Sequence, residues 1–430
     1  MDQASPVTRG RARLALLLAL GPFALGYFLS YLFRAVNAVV APNLVADVGM
    51  APAQLGLLTA AYLFGFAAFQ LPLGVLLDRY GPRRVQAWLL TCAGLGALLF
   101  ALGNSVPMLT LARALIGVGS AGGLMAGFKA VVIWVPEARR AFANACIMAC
   151  GALGVIVATL PTELAIQAVG WRGVFVGLAG LTLAVAALIA LAVPERPGSG
   201  AAGSLGQQIA GLRSILQSRV FWRLAPVLAL TAGTHIAIQT LWAGPWFADV
   251  AGLDRAGVAT HLLILAFSFL AGILVTGFVA DWFNSRGVSR LTVMSGFLIA
   301  FFVAQGLILW GPDALMVPAW IVFGMSGQVA IIAYPWLSSH YGATMAGRAN
   351  TAVNLIVFSC AFAAQYLMGE ITGLFAPDAA GSYPERAYQA AFGAFLALQL
   401  AAFCWYLLGR GLQARPADGK ATCRQPRKAR

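Results

Sequence analysis

Apolar residues along this chain gather into long blocks separated by short polar connectors, with little of the one-face periodicity that a water-soluble helix shows. Measured against the roughly 20 apolar residues that a bilayer-crossing helix needs, blocks fall at 14–40, 55–77, 85–102, 108–135, 141–169 and 173–193. A polar interval, 194–223, follows, and then further blocks at 224–247, 258–280, 291–309, 315–337, 352–375 and 388–408. The pattern predicts an all-α membrane protein with twelve transmembrane helices, six on either side of the polar interval. The expected units are 1–193 and 224–410, a linker at 194–223 and a basic tail at 411–430. Inside the linker, 205–216 carries apolar residues at helical spacing and reads as a short surface helix.

Composition agrees with lipid as the solvent. The 430 residues are 60% hydrophobic and only 10% charged, with a mean hydropathy of +0.83, outside the range of soluble domains. The formal net charge of +14 could suggest nucleic acid, but the basic residues are strung along connectors and the tail. That distribution matches the Lys and Arg bias of cytoplasmic loops. If both termini are cytoplasmic, that face collects the arginines near residues 9–13, 79–84, 139–140, 196–223 and 286–290, Arg348 and the tail. The opposite face receives only Arg172, Arg255 and Arg386. The six cysteines show no C-x-x-C spacing, so neither a disulfide framework nor a zinc site is expected. No metal or cofactor motif is present, and the three histidines, His235, His261 and His340, fall in separate segments. The first apolar block is too long for a removable signal peptide and lacks a small-residue cleavage site.

The densest charge cluster sits where the second block ends: Gly74-Val-Leu-Leu-Asp78-Arg79-Tyr80-Gly81-Pro82-Arg83-Arg84. Asp78 can take up the arginines beside it, and Gly74, one turn earlier, leaves room for a second helix to approach. This G-x-x-x-D-R-x-G-x-R-R stretch resembles the signature loop of the major facilitator superfamily. A weaker copy, Gly277-Phe-Val-Ala-Asp281-Trp-Phe-Asn284-Ser-Arg286, ends a block in the second half, with Asn284 where the first copy has Gly81. The resemblance implies two pseudo-symmetric six-helix bundles around one midplane site and a gating role for Gly74, Asp78, Arg79, Gly81, Arg83 and Asp281. Arg113-Ala-Leu-Ile-Gly117-Val-Gly119 is similar to the superfamily's fourth-helix R-x-x-x-G-x-G, whose arginine is tied to proton coupling.

A charge at the bilayer centre costs at least about 2.5–3.5 kcal/mol on insertion scales, so each buried ion needs a reason. Arg34 lies deep in the first block, and at 100° per residue Tyr27, Ser30, Tyr31 and Asn37 fall within about 60° of it. That is a polar stripe around a cation, as on a helix facing a wet cavity. Gly26 to Asn37 with Pro42 resembles the first helix of the organophosphate and organic-anion branches, where an arginine at this place holds an anionic group. Phosphate-ester carriers of that branch also have an arginine in the seventh helix and a lysine in the second. Ala237 and Gln70 stand there in this chain, which argues against a doubly charged phosphate. Lys129 lies about 24 Å along the helix axis from Arg113, so the two cannot form one clamp, and Lys129 reads as a cytoplasmic-end residue.

Thr231, His235, Gln239 and Trp242 share one face of the seventh span. His235 is open to either a structural or a substrate and proton role. Asn350, Asn354 and Gln365 form a similar stripe on the eleventh. Glu163 and Glu370 stand near the outer ends of the fifth and eleventh spans, and either could carry a coupling proton. Glu370 points about 160° away from Asn354.

The sequence-based expectation is a secondary transporter of the cell inner membrane, not an enzyme. It would move a small organic anion by alternating access, driven by protons or another ion, and act as a monomer in the lipid bilayer. The substrate-binding set is Arg34, Asn37, Tyr27, Tyr31, His235 and Gln239; the coupling set is Arg113, Glu163 and Glu370. Drug efflux by proton antiport and a transporter-like sensor are the competing readings. Against efflux, Gly151, Gly154 and Pro161 do not form the compact G-P-x-x-G-G arrangement of such exporters.

Overall fold

The computed structural model describes residues 6–194, 205–327, 330–341, 343–379 and 381–408, all of whose regular structure is helical. The basic tail and the first part of the linker lie outside the described residues. Helix α1 (Pro6–Ala35) and α2 (Asn37–Val48) form the first crossing, bent by 47° at their junction. The long α3 (Pro52–Leu102) supplies the second and third crossings. They are separated at Gly81, whose φ of 79° lies in the left-handed region that disfavours any side chain. The fourth crossing is α4 (Val106–Ser120) with α5 (Gly123–Trp134). The fifth is α6 (Glu137–Val157) with the first leg of α7 (Leu160–Ala192). Gly170, at φ 72°, breaks α7 before the sixth.

The linker helix α8 (Leu205–Leu216) buries Ile215, and Gly211 admits the Arg348 side chain against its backbone. The second half then runs through α9 (Arg219–Ala237), a π-helical segment (Ile238–Trp242) and α10 (Ala243–Asp249), together the seventh crossing. It continues with α11 (Arg255–Asn284) and α12 (Arg290–Trp310). The tenth crossing is α13 (Met316–Ser326) with α14 (Ala330–Tyr341), followed by α15 (Ala343–Gly373) and α16 (Glu385–Leu408).

Nine helices among the described residues are long and apolar enough to cross a membrane, and ten if the bent first pair counts as one. The fifth and tenth runs fall short individually, because their apolar portions are the shorter helices Ala143–Val157 and Asp313–Ser326. Breaks cut both of them.

The third, sixth, ninth and twelfth crossings turn large apolar side chains outward, among them Trp88, Leu191, Trp310 and Leu408. In water these would be costly exposed patches; on a bundle of membrane-length apolar helices they form a surface suited to acyl chains. The remaining crossings pack inward through glycine. A Cβ at Gly117 would lie 2.1 Å from the Tyr62 carbonyl oxygen, and one at Gly119 would lie 2.4 Å from Leu89 oxygen. Helix α4 therefore presses against both legs of α3, the close approach that small residues permit in lipid.

The two halves meet by the same device. Cβ atoms at Gly56, Gly369 and Gly244 would lie 2.7, 2.6 and 2.4 Å from the carbonyl oxygens of Gln365, Pro52 and Ala38. All three contacts lie at the end of the bundle away from the Asp78 loop, and they bring the halves together backbone to backbone there.

Two expectations about the loops need correction. Asp78 does not use its neighbouring arginines: its carboxylate pairs with Lys129 of α5. Arg83 instead donates from Nε to the Ala190 carbonyl at 3.1 Å, where α7 ends and its carbonyls carry partial negative charge. In the second copy, Asn284 does not take the place of Gly81. The chain stays helical through Asn284 and turns at Gly287, φ 82°, and Asp281 pairs with Arg290 at 3.3 Å.

Because Gly117 has no space for a side chain, Gly117→Val should destabilise the fold by about 1–3 kcal/mol or more. Thermal unfolding and monodispersity of the purified protein measure this. Gly177→Val is the control, as no atom lies within 4 Å of its Cβ position, and it should behave as the parent.

Candidate functional site

Between the halves lies a cavity of about 190 Å³. The first, second, fourth and fifth crossings line it from one side, and the seventh, eighth, tenth and eleventh from the other. These are corresponding members of the two halves. The wall therefore follows from the repeat.

Arg34 stands in the last turn of α1, next to the bend, and reaches into this cavity. Only 8% of the residue is exposed. Its guanidinium carbon lies 4.5 Å from the ring centre of Tyr31, 5.0 Å from Phe66 and 5.1 Å from Phe358. Such cation–π contacts are worth about 0.5–1 kcal/mol when exposed and about 2 kcal/mol when desolvated, enough to offset much of the burial cost without neutralising the charge. Phe66 and Phe358 belong to different halves and lie 4.5 Å apart, so the cation sits on the seam. No carboxylate lines the cavity among the described residues, and the Arg34 Nε has no hydrogen-bond partner there. The result is an electropositive cavity with an unspent donor.

The expected binding residues divide. Tyr27, Tyr31 and Gln239 line the cavity with Arg34. Gln239 belongs to the π-helical segment and keeps its Nε2 without a partner among the described residues. Such segments recur at functional sites because they re-aim side chains out of helical register. Asn37 does not line the cavity; it donates from Nδ2 to the Thr59 hydroxyl at 2.9 Å, tying α2 to α3. His235 stands behind the wall, fully buried among Phe323, Phe269 and Phe301, with ring centres 5.1 to 6.0 Å away. Of the eleventh-span stripe, Asn354 lines the cavity and accepts a bond from the Tyr334 hydroxyl. Gln365 donates to Thr240 instead, at 3.2 Å.

The expected coupling residues also separate. Arg113 is fully buried and donates from Nη1 to the Phe33 carbonyl at 2.9 Å. It braces the chain one residue before Arg34 and does not line the cavity. Glu370 is exposed on α15. Glu163, its side chain only 3% exposed, is held by Arg255 of α11 through two bonds of 3.0 Å. Arg255 also reaches Asn43 at 2.9 Å, and Gln167 donates to Glu163 at 3.1 Å. This bidentate pair joins the two halves at the end already closed by the glycine contacts. In contrast, Asp78–Lys129 lies within the first half.

Sequence reasoning missed several of these partners. Arg255 counted only as one of three basic residues on the face opposite the cytoplasm, and Lys129 as a residue of a cytoplasmic helix end. Phe66 and Phe358 carried no signal beyond hydrophobicity. The pairings needed three dimensions.

Comparison with known proteins places this architecture. The family model for the Major Facilitator Superfamily matches residues 23–365. A probable sulfoacetate transporter of Cupriavidus necator is 23% identical over 308 residues, 69% of this chain and 71% of that protein. A probable L-galactonate transporter of Escherichia coli is 25% identical over 281 residues, 61% of each. A galacturonate transporter of Dickeya chrysanthemi is 30% identical over 169 residues, 38% of this chain and 48% of that one. Among solved structures, a bacterial homologue of the human lysosomal transporter Spinster, in an inward-facing, occupied conformation, aligns with a TM-score of 0.73 at 19% identity. The match covers 94% of this chain and 97% of that one. The nucleoside transporter NupG aligns at 0.74 and 14% identity, covering 91% and 99%. Those low-identity matches establish the fold, and the family match over most of the sequence establishes membership. The chain belongs to the major facilitator superfamily and is a multi-pass membrane transporter rather than an enzyme.

Proposed function

We propose that this protein carries a small organic anion across the cell inner membrane by alternating access, with both termini cytoplasmic, as a monomer. The observation that carries the reading is Arg34: a cation on the seam between halves, shielded by aromatic faces, with no carboxylate among the described residues of the cavity to neutralise it. A permanent internal ion pair would leave such a site nothing to bind. An uncompensated one gains on binding an anion what it lacks at rest. The names of the relatives, transporters of sulfoacetate, galactonate and galacturonate, support the same chemistry.

In this proposal residues 1–193 and 224–410 are the two rocking bundles, joined by the linker at 194–223. With 411–430 cytoplasmic, the Asp78 loop faces the cytoplasm. The glycine contacts and the Glu163–Arg255 pair then close the outer end, which corresponds to an inward-facing pose. Glu163 is the residue we assign to proton coupling. Ionised, it holds Arg255 and keeps the outer end shut; protonated, it loses the charge that makes the bidentate pair strong, and the outer end is released. A proton arriving from outside would thus favour the pose that admits substrate from outside. Asp78 and Lys129 brace the first bundle from within, and Arg113 fixes the α1 break that presents Arg34.

Arg34→Gln should abolish uptake of the right anion with normal membrane expression. Loss of charge-assisted bonds worth about 1.5–3 kcal/mol corresponds to a weakening of binding by tenfold or more. Unimpaired binding by that variant removes the proposal. Glu163→Gln should make transport in proteoliposomes insensitive to an imposed pH gradient while substrate exchange at equal pH continues. Unchanged gradient dependence would show that the proton travels elsewhere.

A further inference from the structure

Resting on the reading of Arg34 as the anion site, we infer that the substrate is a monoanion with an apolar, ring-sized body, such as an arylalkyl monocarboxylate, rather than a polyhydroxylated sugar acid. The charge count comes first. One cation and no carboxylate line the cavity among the described residues, which balances a single negative charge. A second anionic group would enter a largely apolar space without a partner, at a large desolvation cost.

Part of the polar lining is already engaged within the protein. Ser30 donates to the Ser120 carbonyl at 3.2 Å, Gln70 to the Ala121 carbonyl at 3.3 Å and Thr240 to the Ile236 carbonyl at 2.7 Å. The Tyr334 hydroxyl is directed at Asn354. Tyr27 and Tyr31 stand on the Arg34 side, and on the opposing half the Gln239 amide Nε2 has no partner among the described residues. A sugar acid would bring a row of hydroxyls into a cavity whose lining is mostly apolar. Each hydroxyl left without a hydrogen-bond partner weakens binding, and selection among substrates follows such unpaired groups steeply.

The rest of the wall is of the opposite kind. Met125, Met148 and Val155 face Ile236, Phe269 and Ile273 across the cavity. Methionine and phenylalanine together make an adaptable surface favourable to an aromatic ring. The size agrees as well: an apolar cavity of about 150 Å³ accepts benzene, and this one, at about 190 Å³, leaves room for the ring and a carboxylate at Arg34.

The test is a binding titration of the purified full chain with phenylacetate, benzyl alcohol, galactonate and sulfoacetate, on the parent, Arg34→Gln and Met148→Gln. Phenylacetate should bind at least about tenfold more tightly than the other three, and Arg34→Gln should lose that advantage. Met148→Gln, which places an amide in the body pocket, should weaken phenylacetate severalfold and leave galactonate unchanged or improved. Galactonate or sulfoacetate binding as tightly as phenylacetate, and lost in Arg34→Gln, would overturn the apolar-body assignment while leaving the anion reading intact. Equal effects of Met148→Gln on phenylacetate and galactonate would also count against that assignment. Benzyl alcohol equalling phenylacetate, or no binding by any probe, would overturn both.

Discussion

A charged guanidinium held inside a bilayer-spanning bundle, with no counter-ion among the described residues, is the constraint around which this protein is organised. Arg34 is tolerated because three aromatic faces surround it and because it opens on a polar-edged cavity. Those conditions dictate much else. The first crossing must break so that the cation turns inward at a helix end. Arg113 must brace the break by taking the Phe33 carbonyl. The facing half must bring Phe358 against Phe66. None of these contacts supplies a negative charge, and the cavity keeps its field.

The ends of the bundle are built differently. At one, the halves approach through glycines at 56, 244 and 369 and are clasped by Glu163 and Arg255. At the other, the acid of the signature loop is spent inside its own half, on Lys129. An ion pair that bridges the halves can bias their relative position, while one within a half can only stiffen it. Glycine contacts add shape without strength of their own, so the bidentate pair is the feature at the closed end that a change of charge can undo.

The fold was legible because lipid imposes a length and a hydrophobicity on each crossing. Block boundaries, the linker helix at 205–216 and the glycine-bearing loop all follow from local composition. The site was legible only where one helix carried it. Tyr27, Tyr31 and Arg34 share a face of α1, and helical geometry alone groups them. Asn37 failed that extrapolation because the chain bends between Arg34 and Asn37, rotating the amide onto Thr59. In the seventh span the π segment changes the register after Ala237, so Gln239 meets the cavity while His235 is sealed among rings. Ion pairs between distant segments, such as Glu163 with Arg255, leave no periodic trace. A search for unmatched charges at the same predicted membrane level would have brought those two together.

The most direct measurement is diffraction from crystals of the protein grown with bromide and recorded at the bromine absorption edge, which locates a simple monoanion without regard to its body. The expected result is an anomalous peak in the cavity within ion-pairing distance of the Arg34 guanidinium. Arg34 paired instead with a side-chain carboxylate, or turned out towards lipid with no peak beside it, would contradict the central claim.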